Sequence, residues 1–246
     1  MKKMPQNRRR PPRKAGVVPL GRALSKLGVL SRSQAVAAVL GGRVSVNGRV
    51  ERNPLALVAP ERMRLMVDGE RASPAAWRAI LFHKPRGVVT TRNDPEGRQT
   101  IYDVLGEPGR GLIAVGRLDL ATSGLLLLTT DTRLADWITD PAHAVPRLYA
   151  VTVRGRIVET DIAALSGRVS LRKASARESH LLVELTEGRN RQVRRMFDAI
   201  GHEVTALKRV KLGGLDLGRL EPGQHRELSP QEIVHAFPGA PLRAVQ

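Results

Sequence analysis

Residues 114–131, AVGRLDLATSGLLLLTTD, put one carboxylate, Asp119, on a polar loop between two short apolar runs at 112–115 and 125–128. Runs this short, bounded by Gly and polar residues, read as buried strands. A carboxylate on a loop held by two core strands is fixed in space yet open to a ligand, and such loops are where catalytic groups gather. An isolated Asp in a loop is more often a turn former bonded to nearby backbone. Here Arg117 precedes it, and Thr122, Ser123 and Gly124 follow it.

The wording of the loop narrows the choice. Gly-Arg-Leu-Asp at 116–119, two residues, then Thr-Ser-Gly-Leu-Leu-Leu-Leu at 122–128 resembles the catalytic motif of RNA pseudouridine synthases. The resemblance is to the RsuA/RluB-type group acting on ribosomal RNA, and within it to the large-subunit members. It implies that Asp119 is the essential catalytic aspartate and that Arg117, Thr122 and Ser123 lie against the RNA. The motif ends in Thr-Thr-Asp-Thr where the group more often has Thr-Asn-Asp-Gly, a departure that bears on the following turn and not on the aspartate.

Composition agrees with an RNA partner. The 246 residues include 41 Lys and Arg against 23 Asp and Glu, a formal charge of +18 and a pI near 11.5. A chain of this length buries a real core in one large or two modest domains. Such a positive balance suits a phosphate backbone. Aromatics are 3% of the chain, which argues against a platform stacking many unpaired bases. With no Cys, disulfides, thiolate metal sites and Cys nucleophiles are excluded. The six His (83, 143, 180, 202, 225, 235) are scattered singly, without metal-ligand spacing. No apolar run approaches the ~20 residues of a membrane span, and the basic N-terminus has no apolar stretch behind it. The expected location is the cytoplasm.

Residues 1–16 are basic and Pro-rich, with almost nothing to bury, and are expected to be disordered. Residues 17–70 form the first expected domain. Leu20, Leu24 and Leu27 share one face of a short helix stopped by Gly28. Ser31 and Gln34 have capping-box spacing before a second helix that ends at Gly41-Gly42. Val44 and Val46 alternate with polar residues, and Asn47-Gly48 marks a tight hairpin turn. Helix, Gly, Ser-Arg, helix, then Gly-Arg-Val-x-Val-Asn-Gly resembles the small S-four-like RNA-binding domain. That resemblance implies that Arg22, Lys26, Arg32, Ser33 and Arg43 touch structured RNA, largely at phosphates, which position without reading sequence.

A linker at 71–78 leads to the second expected domain, 79–246. Residues 79–83 read as a strand, Lys84-Pro85-Arg86-Gly87 as a basic turn, and 88–91 as another strand. Lys-Pro-x-Gly recurs here in the same synthase group, and Lys84 and Arg86 are expected to receive substrate backbone. Residues 101–105 have room for a helical turn. Asp131 is an N-cap before a helix to 139, and Pro141 ends it. Residues 148–153 form a strand bearing Tyr149. By resemblance, a basic residue, a spacer and Tyr before Val-x-Val mark the active-site tyrosine, the basic residue here being Arg147. A Tyr ring stacks on uracil, and its hydroxyl serves as acid, base or hydrogen-bond partner. Residues 160–165 read as a short helix and 179–186 as an alternating strand.

Glu-Gly-Arg-Asn-Arg-Gln-Val-Arg-Arg-Met-Phe at 187–197 places Arg191, Arg194 and Arg195 on one helical face, opposite Val193, Met196, Phe197 and Ile200. The run resembles the group's third motif, which implies that Arg194 pairs with the catalytic aspartate. Arg189, Asn190, Arg191, Gln192 and Arg195 are then left for the RNA. Lys208 and Arg209 sit on the last strong strand and are expected to extend the basic surface, and Ser229-Pro230 starts a final helix.

Pattern alone gives an α+β fold, largely antiparallel. Resemblance adds a small α/β S-four-like domain, then a domain whose central mixed sheet carries the catalytic cleft across its middle. Pseudouridine formation breaks N1–C1′, turns the uracil and joins C5 to C1′, with no redox change and no group lost. No cofactor and no metal are expected. Glycoside hydrolysis uses two flanking carboxylates, whereas Glu187 and Asp131 stand at poorly placed motif edges. Asp119 attacks C1′ or C6, or removes the 2′ proton; sequence leaves all three open. The expected partner is a structured ribosomal RNA stem-loop, free or in a pre-ribosomal particle, bound by a monomer. The main rival is a non-catalytic ribosome-assembly protein; a nucleic-acid hydrolase and a methyltransferase are the others.

Overall fold

In the computed structural model, which describes residues 16–30, 32–73 and 76–242, the chain divides into two units, Met1–Ala75 and Ala76–Gln246. Residues 1–15 of the expected disordered tail and the Ser31 cap lie outside the described residues, as do 74–75 of the linker.

The first unit holds β1 (Val18–Pro19), α1 (Leu20–Lys26), α2 (Arg32–Leu40), β2 (Val44–Val46), β3 (Arg49–Val50), β4 (Leu57–Val58), β5 (Leu65–Val67) and β6 (Glu70–Arg71). β1 pairs with β4, and the other strands form an antiparallel sheet in the order β3-β2-β5-β6. Leu20, Ala23 and Leu24 of α1 pack on Ala35, Ala38 and Val39 of α2, with Val44 and Leu65 beneath. Asn47 and Gly48 both take positive φ, 51° and 84°, as the tight β2–β3 hairpin requires.

The second unit holds β7 (Ala79–Lys84), α3 (Ile101–Leu105), β8 (Ile113–Ala114), β9 (Ser123–Thr129), α4 (Thr132–Thr139), β10 (Arg147–Arg154), α5 (Glu159–Ala163), β11 (Arg168–Ala174), β12 (Glu178–Leu185), α6 (Gln192–Asp198), β13 (Val204–Leu212), β14 (Leu215–Asp216), β15 (His225–Glu227) and α7 (Pro230–Ala236). Nine strands form one mixed sheet, β11-β12-β10-β13-β9-β7-β15, with β14 on β13 and β8 on β9. Only the β13–β9 pairing is parallel among those described.

The apolar runs are buried on both faces. Ala79, Leu81, Leu125 and Leu127 pack under α4 and α7, while Ile80, Phe82, Leu126 and Leu128 pack with Ile101 and Leu118 on the other side. Each such side chain contributes about 1.5–3 kcal/mol on burial. The caps form as the sequence predicts: Asp131 Oδ1 accepts from Arg133 N at 3.0 Å, and Ser229 with Glu232 closes a capping box on α7. The strand expected at 88–91 does not form. Val89 makes one isolated parallel bridge to Thr100, and Thr90 Oγ1 donates to Leu118 O at 2.8 Å. That segment braces the Asp119 loop without joining the sheet.

Candidate active site

The Asp119 loop is tied down before it reaches any ligand. β8 and β9 pair antiparallel, Ala114 opposite Leu128, so residues 115–122 leave the sheet and return to it. Thr122 N donates to Asp119 O at 2.9 Å, closing a turn. Gly124 has φ +108°, and a Cβ there would lie 2.2 Å from Arg209 O. Only glycine lets β9 lie against β13 at this point.

Two cations hold the loop through its carbonyls. Lys84 is 0% exposed, and its Nζ donates to Thr122 O at 2.8 Å, Pro85 O at 2.9 Å and Asp119 O at 3.2 Å. The expectation that Lys84 receives RNA backbone is therefore corrected. Period-2 alternation along β7 puts it on the Ile80 and Phe82 face, under the loop. Burial lowers its pKa to about 8, with the Asp119 charge opposing the shift.

Arg194 donates from Nη1 to Val204 O at 2.8 Å and from Nη2 to Ala121 O at 3.1 Å. The expected direct pairing with Asp119 is not formed in this structure: Nη1 and Nη2 go to backbone carbonyls, and the buried Nε has no partner among the described residues. Burial and then the Arg191 charge lower the Arg194 pKa, and the Asp119 charge opposes them. Asp119 feels both cations through space. Its carboxylate makes no hydrogen bond or ion pair with any described residue.

A cavity of about 360 Å³ opens beside Asp119, within the ~300–1,000 Å³ range of small-molecule clefts. Its inner wall includes Thr122, Arg147, Tyr149 and Arg209, and its outer wall Arg117, Arg189, Asn190 and Arg191. The first group is buried or half-buried and the second exposed. Tyr149 packs against the cores on both sides of it.

Arg147 donates to Val145 O at 2.8 Å, Thr186 O at 3.1 Å and Ile138 O at 3.2 Å. Burial, and secondarily Arg209, lowers its pKa against the opposing influence of Tyr149. Arg209 is buried, with Nε donating to Leu125 O at 2.8 Å. It is part of the cavity wall and not of an outer basic surface, because β13 runs through the middle of the sheet.

Glu187, expected at a poor position, lines the same cavity. It is not a free second carboxylate: it pairs with Arg189 at 3.0 Å and accepts from Gln192 Nε2. Gln192 thus holds the 187–192 turn together while lining the same cavity. Arg191 lies off the expected helical face, as the N-cap of α6 with φ +50°. Asp131 is consumed as the α4 cap.

Arg86 is exposed and donates to Thr205 O at 3.4 Å. Arg195 is exposed on α6, while Lys208 and Ser123, partners in register, are half-buried. In the first unit Arg22, Lys26, Arg32 and Ser33 are exposed. Arg43 is exposed but grips Asp68 through both carboxylate oxygens, so its charge is already countered. The roles of Lys84, Arg147, Gln192 and Arg209 escape sequence reasoning because a cation or amide in a sequence gives no direction. The one signal is Lys84 at the end of an apolar strand run.

Among the described residues no group of three or more His, Asp and Glu is arranged to hold a metal, and no helix is long and apolar enough to cross a membrane. Residues 78–199 match the RNA pseudouridylate synthase family model, and residues 18–61 match the S4 domain model. An uncharacterized RNA pseudouridine synthase of Aquifex aeolicus is 35% identical over 93% of this chain and 97% of its own. Ribosomal large subunit pseudouridine synthase B of Bacillus subtilis is 36% identical over 87% of this chain and 93% of its own. A crystal structure of a pseudouridylate synthase superposes with a TM-score of 0.61 at 29% identity, covering 89% of this chain and 99% of that one. An S4 domain followed by a mixed-sheet domain with an aspartate loop at its centre, together with these relatives, makes this chain a member of the RNA pseudouridine synthase family.

Proposed function

We propose that this enzyme isomerises one uridine of large-subunit ribosomal RNA, with Asp119 as the reacting carboxylate. The observation that carries this is a carboxylate without protein partners, held on a braced loop at the wall of a nucleoside-sized cavity. The rRNA target is supported by the name borne by the Bacillus relative.

The target uridine leaves its stack, at a cost of a few kcal/mol, and its base enters beside Tyr149. Exposed cations at the cavity mouth, Arg117, Arg189 and Arg191, take the flanking phosphates. Arg22, Lys26, Arg32 and Ser33 position the RNA elsewhere along its backbone. Asp119 then acts on the ribose or the base, the N1–C1′ bond breaks, the uracil turns, and C5 joins C1′. The C5 proton is lost and N1 gains one, so the balance closes without a cofactor. Arg194 acts as a positioning residue through Ala121 O, and Lys84 through the three carbonyls it binds. The chain works as a monomer in the cytoplasm on a structured stem-loop.

Asp119→Asn keeps shape and removes charge. RNA affinity is expected to survive and pseudouridine formation to become undetectable on a ribosomal stem-loop carrying the site. Asp119→Glu moves the carboxylate by one methylene, and a shift of about 1 Å costs on the order of 100-fold in rate. Robust product formation by the Asn variant refutes the assignment of Asp119.

A further inference from the structure

Two residues that line the cavity each carry a buried polar atom with no partner among the described residues. Arg209 is 3% exposed and Thr122 is 2% exposed, and both line the cavity beside Asp119. Arg209 Nη2 and Thr122 Oγ1 are buried and receive or donate no hydrogen bond. Arg209 is also a buried cation without an ion-pair partner among the described residues; Nε alone is accounted for, on Leu125 O at 2.8 Å. Leaving a buried polar group unmatched is costly, more so for a charged one. Both residues line the cavity, so a ligand with acceptor oxygens seated there lies next to a guanidinium whose charge no described carboxylate answers.

Position argues for which oxygens. The exposed cations stand at the mouth, where phosphates remain hydrated. Arg209 stands deep, opposite Tyr149 in register on one side and opposite Gly124 on the other. The missing Cβ at 124 lets β9 close against the Arg209 backbone, so the guanidinium is fixed before substrate arrives.

We infer that the Arg209 guanidinium, with the Thr122 hydroxyl turned toward it, binds the carbonyl oxygens of the target uracil and stabilises the anion it becomes when N1–C1′ breaks. This rests on the pseudouridine synthase function proposed above. As the bond breaks, its electron pair stays with the base and delocalises onto O2 and O4. That holds whether Asp119 has attacked C1′ or has removed the 2′ proton. A fixed cation in a water-poor site aimed at developing charge is the arrangement that lowers such a barrier. When C5 attacks C1′, the pair returns to the new bond, the C5 proton departs and N1 is protonated.

The test measures single-turnover rate at saturating RNA and, separately, RNA affinity. The substrates carry uridine, 2-thiouridine or 4-thiouridine at the site. Arg209→Met is expected to lower the saturating rate about 100-fold, the effect typical of removing one such donor, with affinity within about 3-fold. Sulfur is a weak acceptor, so one thio substitution should slow the wild type. That penalty should shrink at least about 10-fold in Arg209→Met, as contacting partners couple in a double-mutant cycle.

Thr122→Val guards against misfolding of the Arg209 variant. Its hydroxyl has no protein partner, so the variant should be as stable as wild type or more so, and yet be slowed. An equal thio penalty in wild type and Arg209→Met overturns the contact, as does a loss of affinity at unchanged saturating rate, which would make Arg209 a phosphate ligand. If Arg209→Met does not fold, full activity of Thr122→Val overturns the proposal. Failure of the underlying function is distinguishable, because wild-type protein would then convert no uridine at all.

Discussion

Replacing Lys84 by Met is the sharpest test of how the active-site loop is held. The apolar stem fits the same space, but three N–H donors and the charge vanish from beneath Asp119. Three carbonyls are affected, those of Pro85, Asp119 and Thr122, and only Asp119 O keeps a second bond, from Thr122 N. Hydrogen bonds to a charged group contribute about 1.5–3 kcal/mol each, roughly 4–9 kcal/mol in sum. Removing a buried cation also relieves a desolvation cost of several kcal/mol. The net loss of stability is therefore about 1–3 kcal/mol, within the usual range for single substitutions. The effect on rate is larger, because a catalytic group displaced by about 1 Å loses on the order of 100-fold.

Denaturant unfolding reads the first quantity and single-turnover kinetics at saturating RNA the second. The wild-type rate should also decline above pH 8. With the Lys84 pKa lowered to about 8, the neutral amine has two donors for three carbonyls; Lys84→Met should lack that limb. Stability runs the other way. A lysine whose folded pKa lies below its unfolded value of about 10.4 binds fewer protons folded than unfolded between those values. Its contribution to stability therefore rises with pH from about 8 to 10.4. Lys84→Met with unchanged stability and rate, or with weakened RNA binding alone, refutes the clamp.

Two further outcomes are expected. Gly124→Ala forces a Cβ to within 2.2 Å of Arg209 O at φ +108°; strain and overpacking of about 1–3 kcal/mol each should lower the melting temperature and disable the site, and a stable, active variant would refute the close β9–β13 approach. Changing Arg22, Lys26 and Arg32 together to Gln should weaken RNA binding and shallow the log–log salt dependence by roughly 0.7–0.9 for each phosphate that is no longer neutralised, while an unchanged slope would remove these residues from the interface.

Much of the site is legible in the sequence because its signals are local. A loop between two apolar runs locates Asp119, and one helical period locates Val193 and Phe197 as core. Several long polar side chains have directions that sequence does not give, because each depends on a distant partner. Arg43 meets Asp68 across 25 residues, Lys84 meets Thr122 across 38, and Arg194 meets Ala121 across 73. Net charge describes what the surface attracts, but not which cations remain on that surface.

The sequence by itself determined several of the elements, though not the strand expected at 88–91. Alternation, caps and turn residues act within a few positions, so Asp131 capping α4, Ser229 capping α7 and Asn47-Gly48 turning a hairpin need nothing remote. It also determined, through motif wording, the family, and it supplied the carboxylate proposed above to react. Tertiary structure alone decided that β13 enters the middle of the sheet parallel to β9. That pairing brings Arg209, 84 residues away in sequence, onto Leu125 O and beside the Asp119 loop. The physical reason is that backbone propensity is settled by neighbours in sequence. The partner of a buried guanidinium or ammonium is settled by whichever carbonyls the completed sheet leaves within its reach.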